Sequence, residues 1–278
     1  MPDPGGTSGC VIASRLSEDP SVSVLVLEKG GVNDHFLSRI PLLSQNFKFP
    51  FLQSVSRLSE PIDGFHNRRT RVWAAEALGG SSRVNGELLT RGVPGGYNQW
   101  AQEFGLTDWA WDKVEPYFRR SETSNGYPDA PYRGHSGPVE NRPSRWVVPA
   151  IAYADKAAQD VGLPFVADGN DPKASAQGIV QLDTAINTRN MRVSSYGAWL
   201  NGRIANERRA HLSVCTRVVA SKLVVDKGST TVRGVEIRQV TGSKGSSQTY
   251  LVTARREVII ASGALCTPQL LMLRSVAI

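Results

Sequence analysis

Cysteine and histidine are scarce in this chain: three and four among 278 residues. Cys10, Cys215 and Cys266 are odd in number and far apart, so they form neither a disulfide framework nor a metal-ligand spacing. His35, His66, His135 and His211 are equally isolated, and no zinc motif can be written from them. No apolar run reaches the ~18–20 residues that a membrane helix needs. The N-terminus lacks the basic start and apolar core of a secretory signal. There is no internal repeat and no low-complexity tract. Acidic residues are outnumbered, 25 against 32 basic, for a net charge of +7. The cations are dispersed, however. Their densest group, Arg68, Arg69 and Arg71, has none of the interleaved aromatics on which single-stranded nucleic acids stack. Neither a nucleic-acid nor a membrane partner is expected. An anionic ligand, or a lopsided share of a larger protein, accounts for the charge more simply.

What is present is ordinary for a folded chain: 40% hydrophobic and 21% charged residues, with 26 glycines and 16 prolines to make turns. The length suits one large domain or two small ones. Residues 8–17 carry Ile12, Ala13 and Leu16 at helical spacing. "VSVLVLE" (22–28) reads as a buried parallel strand ending in an acid. Residues 31–70, punctuated by Pro41, Pro50, Pro61 and Gly64, read as an irregular surface excursion. "GYNQWAQEF" and "WDKVEPYFRRSE" read as helices, the second N-capped by Asp112. Residues 122–147 are rich in turns. "PAIAYADKAAQDVG" is an amphipathic helix ended by Gly162, and "SSYGAWLNGRIA" a helix with a serine start. After Arg209 the period changes to two. "HLSVCT", "VVASKLVVD", "TVRGVEIRQV" and "QTYLVTA" predict a β-meander. "EVIIASGA" predicts a buried strand, and "TPQLLMLRSVAI" a helix with Pro268 at its first position.

Three turns are candidates for chemistry. In Gly5-Gly6-Thr7-Ser8-Gly9, Gly6 and Gly9 fit the second and third glycines of G-x-G-x-x-G. Such a turn lets the backbone approach a dinucleotide pyrophosphate at a helix N-terminus. Glu28 follows at the distance where an acid binds the ribose hydroxyls. The first glycine position holds Pro4. In Gly79-Gly80-Ser81-Ser82, two glycines bare their N–H groups, and Ser81 or Ser82 is placed to cap a helix. Asn85-Gly86 follows, and the Asn85 amide can bond a polar ring edge. In "ASGALCTPQLL", a strand runs through Gly263-Ala264 into a helix. Taken singly, each turn also suits an ordinary strand–helix bend with no ligand.

In this order the three resemble the glucose–methanol–choline (GMC) oxidoreductases, flavoenzymes that oxidise alcohols. The N-terminal fingerprint of that family is similar to "GGTSGCVIASRLSEDPSVSVLVLEKG". Its first signature is similar to "LGGSSRVNGELLTRG", followed by "YNQWAQEFG" and "WDKVEPYFRRSE". "MRVSSYGAWL" and "HLSVCTRVVASKLVVD" have counterparts, and the second signature is similar to "GALCTPQLLMLRS". The likeness runs over almost all of the chain.

The resemblance implies an α/β fold and bound FAD. It expects a Rossmann-like βαβ FAD-binding domain with a β-meander, formed by residues 1–95 and 205–278. The first strand would be missing, and 96–204 would supply helical and loop elements, partly of a substrate domain. Gly6, Thr7, Ser8 and Gly9 would meet the pyrophosphate and Glu28 the adenosine ribose. Ala77, Gly79, Gly80 and Ser81 would run beside the cofactor. Asn85, Gly86 and Leu88 would lie near the flavin, the Ala220 backbone would meet the adenine, and Gly263 and Ala264 would close the far side. The implied reaction is oxidation of a CH–OH donor, a small-molecule alcohol. A base takes the alcohol proton while hydride leaves for the flavin.

Two departures stand out. Trp73-Ala74-Ala75-Glu76 puts an acid where many members carry a cation. No histidine here matches the family's catalytic base, so no catalytic residue is expected within these residues. Loss of such a base costs about 10²–10⁴-fold in rate. The alternatives are a non-catalytic FAD-binding or interaction module and an NAD(P)-linked dehydrogenase.

Overall fold

The computed structural model describes residues 5–41, 43, 49, 52–144, 150–226, 228–240 and 248–273. The readings that involve Pro4, Pro50, residues 145–147 and the end of the last helix lie outside these. The chain is a mixed α/β protein that divides into two compact units, one formed by Met1–Gly86 with Ser194–Ile278 and the other by Glu87–Val193.

The first unit opens with helix α1 (Thr7–Leu16), entered from Gly6 in extended conformation. One face of α1 buries Gly9, Cys10, Ala13 and Ser14, the i, i+4 stripe that an amphipathic helix turns toward a core. Strand β1 (Val24–Glu28) follows after a short loop. The supposed irregular excursion contains the first strand and the loop of a hairpin, which closes just beyond it. Strand β2 (Ser54–Leu58) pairs antiparallel with β3 (Arg71–Ala75), in register from Ser54↔Ala75 to Leu58↔Arg71. A 3₁₀ turn over Gly80–Arg83 stands where a serine-capped helix was expected.

The second unit holds β4 (Leu88–Leu89), α2 (Pro94–Phe104), α3 (Trp111–Ser121), β5 (Glu122–Ser124), β6 (Val139–Pro143), α4 (Ala150–Asp160), β7 (Phe165–Val166), β8 (Ile179–Val180) and β9 (Asp183–Thr184). Gly105 and Gly162, both at positive φ, end α2 and α4. The N-cap of α3 is Ala110; Asp112 sits in the first turn, where its charge suits the helix dipole. The sheet order is β4-β9-β6-β5. Its interior is ionic. Arg133, fully buried, sends Nε to Glu122 Oε1 (2.9 Å), Nη1 to Asp168 Oδ1 (2.9 Å) and Nη2 to Asn141 Oδ1 (2.9 Å), and it also donates to Asp183. Arg91 shares Glu122.

The chain returns to the first unit in two short helices rather than one, α5 (Ser195–Trp199) and α6 (Gly202–Glu207). Ser194 caps the first through Gly197 N–H, and Asn201 caps the second through the N–H groups of Arg203 and Ile204. Strand β10 (Leu212–Thr216) leaves the expected meander and pairs parallel with β1, from Val24↔Leu212 to Glu28↔Thr216. Only β11 (Val218–Val225), β12 (Val232–Gln239) and β13 (Thr249–Thr253) form the antiparallel meander. Period-two patterning marks strands but does not say which neighbour each takes. Helix α7 (Gly263–Met272) starts earlier than its sequence suggests, so Pro268 lies inside it. Residues 257–262, expected as a buried strand, belong to no strand, and Ile259 is exposed. Leu25 of β1 is likewise 45% exposed, although the strand was expected to be buried.

Beside a small cluster of Leu52, Ala75 and Val84, two apolar cores hold this unit. Cys10 and Ala13 of α1, Val26 of β1, Leu78, Tyr196 and Leu200, and Leu212 of β10 form one. Ala220 and Leu223 of β11, Val235 of β12 and Leu270 of α7 form the other, with Val258 and Ile260 packed against it. Each fully buried aliphatic side chain contributes roughly 1.5–3 kcal/mol. The first core fixes α1 against β1 and so places the opening glycine turn.

Candidate functional site

A helix leaves its first N–H groups without intrahelical partners. In α1 the N-cap is Gly6, which offers no side chain to satisfy them, and the first turn carries no acid. Thr7 and Ser8 are exposed there. This end of α1 therefore presents donors and the positive end of the helix dipole to an anion.

The glycine turn does not stand alone. Gly79 N–H donates to Gly5 O (2.9 Å), and the Thr7 hydroxyl donates to Gly79 O (3.0 Å). Ser82 N–H donates to Thr7 Oγ1 (3.2 Å), while the Ser82 hydroxyl donates to Gly79 O (2.6 Å). A third segment closes the set: the Ser195 hydroxyl donates to Thr7 O (2.6 Å) and its N–H to Ser82 Oγ (2.9 Å). Gly79 and Gly80 are both left-handed, with φ of 93° and 50°. A Cβ on Gly80 would stand 2.9 Å from Gly6 Cα and 3.0 Å from Thr7 N, so only glycine permits this approach.

Glu28 ends β1 fully buried. Its Oε1 accepts from Gly30 N–H (2.7 Å), and its Oε2 would lie 2.6 Å from a Cβ on Gly5. The acid thus lies directly beneath the glycine turn. Ala77 is buried and bridges Gly31, continuing the same floor. Asn85 N–H donates to Ser81 O (2.9 Å), and a Cβ on Gly86 would meet nothing within 4 Å.

The remaining predicted residues belong to other elements. Ala220 is buried in the meander core, where Leu270 of α7 also packs. Gly263 (φ 78°) and Ala264 begin α7, with open space around Gly263. Leu88 is 61% exposed on β4 of the second unit. The structure therefore brings two of the three turns into direct contact. The third is held in the same unit through β11.

Sequence reasoning missed Ser195, whose role depends on a contact 188 residues away in the chain. It also missed Arg83, which lies buried over the Tyr196 ring (4.7 Å) and donates to Val32 O (2.6 Å). Glu76, the acid in an expected cation position, is neutralised: Lys29 bonds it, and Arg57 Nη2 stands 3.6 Å from its Oε1. Two cations and one acid leave that region positive. Cys10 is an apolar core group here, its thiol pushed up to about 12 by burial.

The family model for GMC oxidoreductases matches residues 3–277. The chain belongs to the GMC oxidoreductase family. The cofactor of this family is FAD. An oxygen-dependent choline dehydrogenase of Burkholderia pseudomallei is 32% identical to this GMC chain over 275 residues, covering 96% of it and 45% of the relative. Among solved structures, an FAD-dependent oxidoreductase from Chaetomium thermophilum matches at 30% identity with TM-score 0.84, covering 97% of this chain and 46% of that one. A formate oxidase from Aspergillus oryzae matches at 26% identity with TM-score 0.81, covering 98% and 46%. The GMC chain thus spans about half the length of the curated relatives it matches. The residues present fit the cofactor: an uncapped, acid-free helix N-terminus, a glycine–glycine approach that a Cβ would fill, and a buried acid beneath it.

Proposed function

We propose that this chain is the FAD-holding part of a GMC oxidoreductase that oxidises a CH–OH donor, a small-molecule alcohol. When bound, FAD supplies the hydride acceptor for that reaction. The N–H groups of Thr7, Ser8 and Gly9 bind the pyrophosphate. The Gly79–Ser82 turn, locked to Thr7, holds that binding edge rigid, so that little ordering remains to be done when the ligand arrives. Glu28 accepts from the ribose hydroxyls. Ala77, Ser81, Asn85 and Gly86 line the path toward the flavin. The backbone at Ala220 meets the adenine, and Gly263 and Ala264 flank the cofactor's other side. Glu87–Val193 takes the part of the substrate-side unit.

The observation that carries this reading is the hydrogen-bonded lock between the two glycine turns. It has no use in a plain strand–helix bend. The chain's own histidines support a second point, that the catalytic base is not among these residues. His211 bonds Ser17 O (2.9 Å) at the far end of α1. His35 caps a 3₁₀ turn through Leu37 N–H, His66 ends another, and His135 bridges Thr123 in the second unit. Purified chain reconstituted with FAD is expected to keep about one flavin per chain through desalting, with no dye reduction on addition of simple alcohols. Folded protein that retains no flavin would overturn the first part, and alcohol-dependent dye reduction the second.

A further inference from the structure

Three consecutive peptide units make up the opening glycine turn, and each N–H is aimed by whatever holds the carbonyl of its own unit. The Gly5 carbonyl, in one unit with Gly6 N–H, accepts from Gly79 N–H (2.9 Å) and from the Cys10 thiol (3.3 Å). The Gly6 carbonyl, in one unit with Thr7 N–H, accepts from Cys10 N–H (3.0 Å), the first bond of α1. The Thr7 carbonyl, in one unit with Ser8 N–H, accepts from a side chain far along the sequence, the Ser195 hydroxyl at 2.6 Å. Ser8 is exposed, and its N–H belongs to the first turn of α1, where the helix supplies no acceptor.

Ser195 is buried at the start of α5. Packing sets its place, because Tyr196 and Leu200 share a core with Cys10 and Ala13 of α1. Its own N–H donates to Ser82 Oγ (2.9 Å), so the backbone of residue 195 is held independently of its hydroxyl. The Cys10 thiol also lies beside that hydroxyl, but burial keeps the thiol protonated, and its sulfur is a weak acceptor. The Thr7 carbonyl is the better one. A donor on a carbonyl draws electron density from the N–H of the same peptide, so each bond in such a chain strengthens the next by about 10–30%. Applied to a charge-assisted hydrogen bond, that gain comes to roughly twofold to fourfold in affinity.

We propose that Ser195 is a positioning residue for the diphosphate of the cofactor: through the Thr7 carbonyl its hydroxyl fixes and polarises the Thr7–Ser8 peptide, whose N–H then meets the anion as a stronger donor already in place. Ser195 acts through that peptide rather than on the ligand. The inference rests on the flavin reading and adds to it a residue that sets how tightly the diphosphate is held.

The test titrates the full chain with ADP, which carries the diphosphate, and with adenosine, which does not. Ser195→Ala removes the hydroxyl but leaves the N–H bond to Ser82, so the lock between the glycine turns stays closed. It is expected to weaken ADP binding roughly twofold to fourfold and adenosine binding not at all. Ser195→Thr keeps the donor and is expected to hold the affinity of the unchanged chain. Proton spectra of chain isotopically labelled at its serine nitrogens give a second readout that needs no ligand. In Ser195→Ala the Ser8 amide proton moves upfield, while that of Ser82, which bonds Thr7 Oγ1 (3.2 Å), stays in place. Unchanged ADP affinity, or an unmoved Ser8 signal, would overturn the proposal. So would equal weakening of ADP and adenosine with a displaced Ser82 signal, the mark of a merely structural serine, or Ser195→Thr binding ADP as weakly as Ser195→Ala. Unchanged chain that takes up neither FAD nor ADP sinks the cofactor reading and this inference with it; unchanged chain that binds both, alongside a Ser195→Ala variant that binds as well, sinks this inference alone.

Discussion

Three glycines in the first unit separate two costs that are usually mixed. Gly86 is not at positive φ, and an added Cβ there meets nothing within 4 Å. Gly228 has φ of 73° with nothing near. Gly80 has φ of 50°, and its added Cβ would meet Gly6 Cα at 2.9 Å and Thr7 N at 3.0 Å. Gly86→Ala is therefore expected to leave stability unchanged or raise it by up to about 1 kcal/mol, by narrowing the unfolded ensemble. Gly228→Ala pays the left-handed strain of roughly 1–2 kcal/mol. Gly80→Ala carries that same strain and also pushes the two turns apart. The bonds from Thr7 Oγ1 to Gly79 O and from Ser82 N–H to Thr7 Oγ1 span the contact, and each is worth about 1 kcal/mol. The total for Gly80→Ala is about 3–4 kcal/mol. Urea unfolding of the three variants gives the stability order, and flavin retained after desalting gives the functional one. Only Gly80→Ala is expected to lose both. If Gly80→Ala unfolds at the same urea concentration as Gly228→Ala, the two turns do not touch and the cofactor site as described is wrong.

Glu28→Gln keeps an acceptor for Gly30 N–H but removes the charge, so titration with FAD should show about tenfold weaker binding at unchanged or improved stability; unaltered affinity would remove Glu28 from the ribose site. Arg133→Leu strands three acids around a fully buried position. It is expected to cost the second unit about 3–5 kcal/mol in urea unfolding, and a loss below 1 kcal/mol would show that the cluster is not sealed from water. The Cys10 thiol ionises near its ordinary 9.0 when unfolded and only at about 12 when folded, so the folded state keeps its proton longer. Stability from this group is full below pH 9 and falls as pH rises toward about 12. Melting temperatures across that window should lose part of their slope in Cys10→Ala, and the native thiol should resist alkylation until urea is added; rapid native labelling would contradict its burial.

Local chemistry alone determined much of this protein. Gly6 and Gly9, then Ile12, Ala13 and Leu16 at helical spacing, then the apolar run closed by Glu28 require a turn, a helix and a strand in that order, although the buried face of the helix proved to be Gly9, Cys10, Ala13 and Ser14. The caps at Ser194 and the glycine stop at Gly162 were equally legible, because each depends on neighbours a few residues away. The strand pairings were not. Residues 212–216 and 257–262 both read as strands, yet one pairs with β1 and the other with no strand among the described residues. A strand's pattern says which faces are buried but not whose edge it meets. The hairpin of β2 and β3 was hidden because prolines and arginines mask its alternation, and it is held by a ladder that composition does not show. The lock of Thr7, Gly79, Ser82 and Ser195 lay furthest from reach. Thr7 lies 72 residues from Gly79 and 188 from Ser195, and each member is a small residue that, read alone, only suggests a turn. Packing decided that they meet, because α1 and α5 share one core with Leu78, the residue that leads into the second glycine turn.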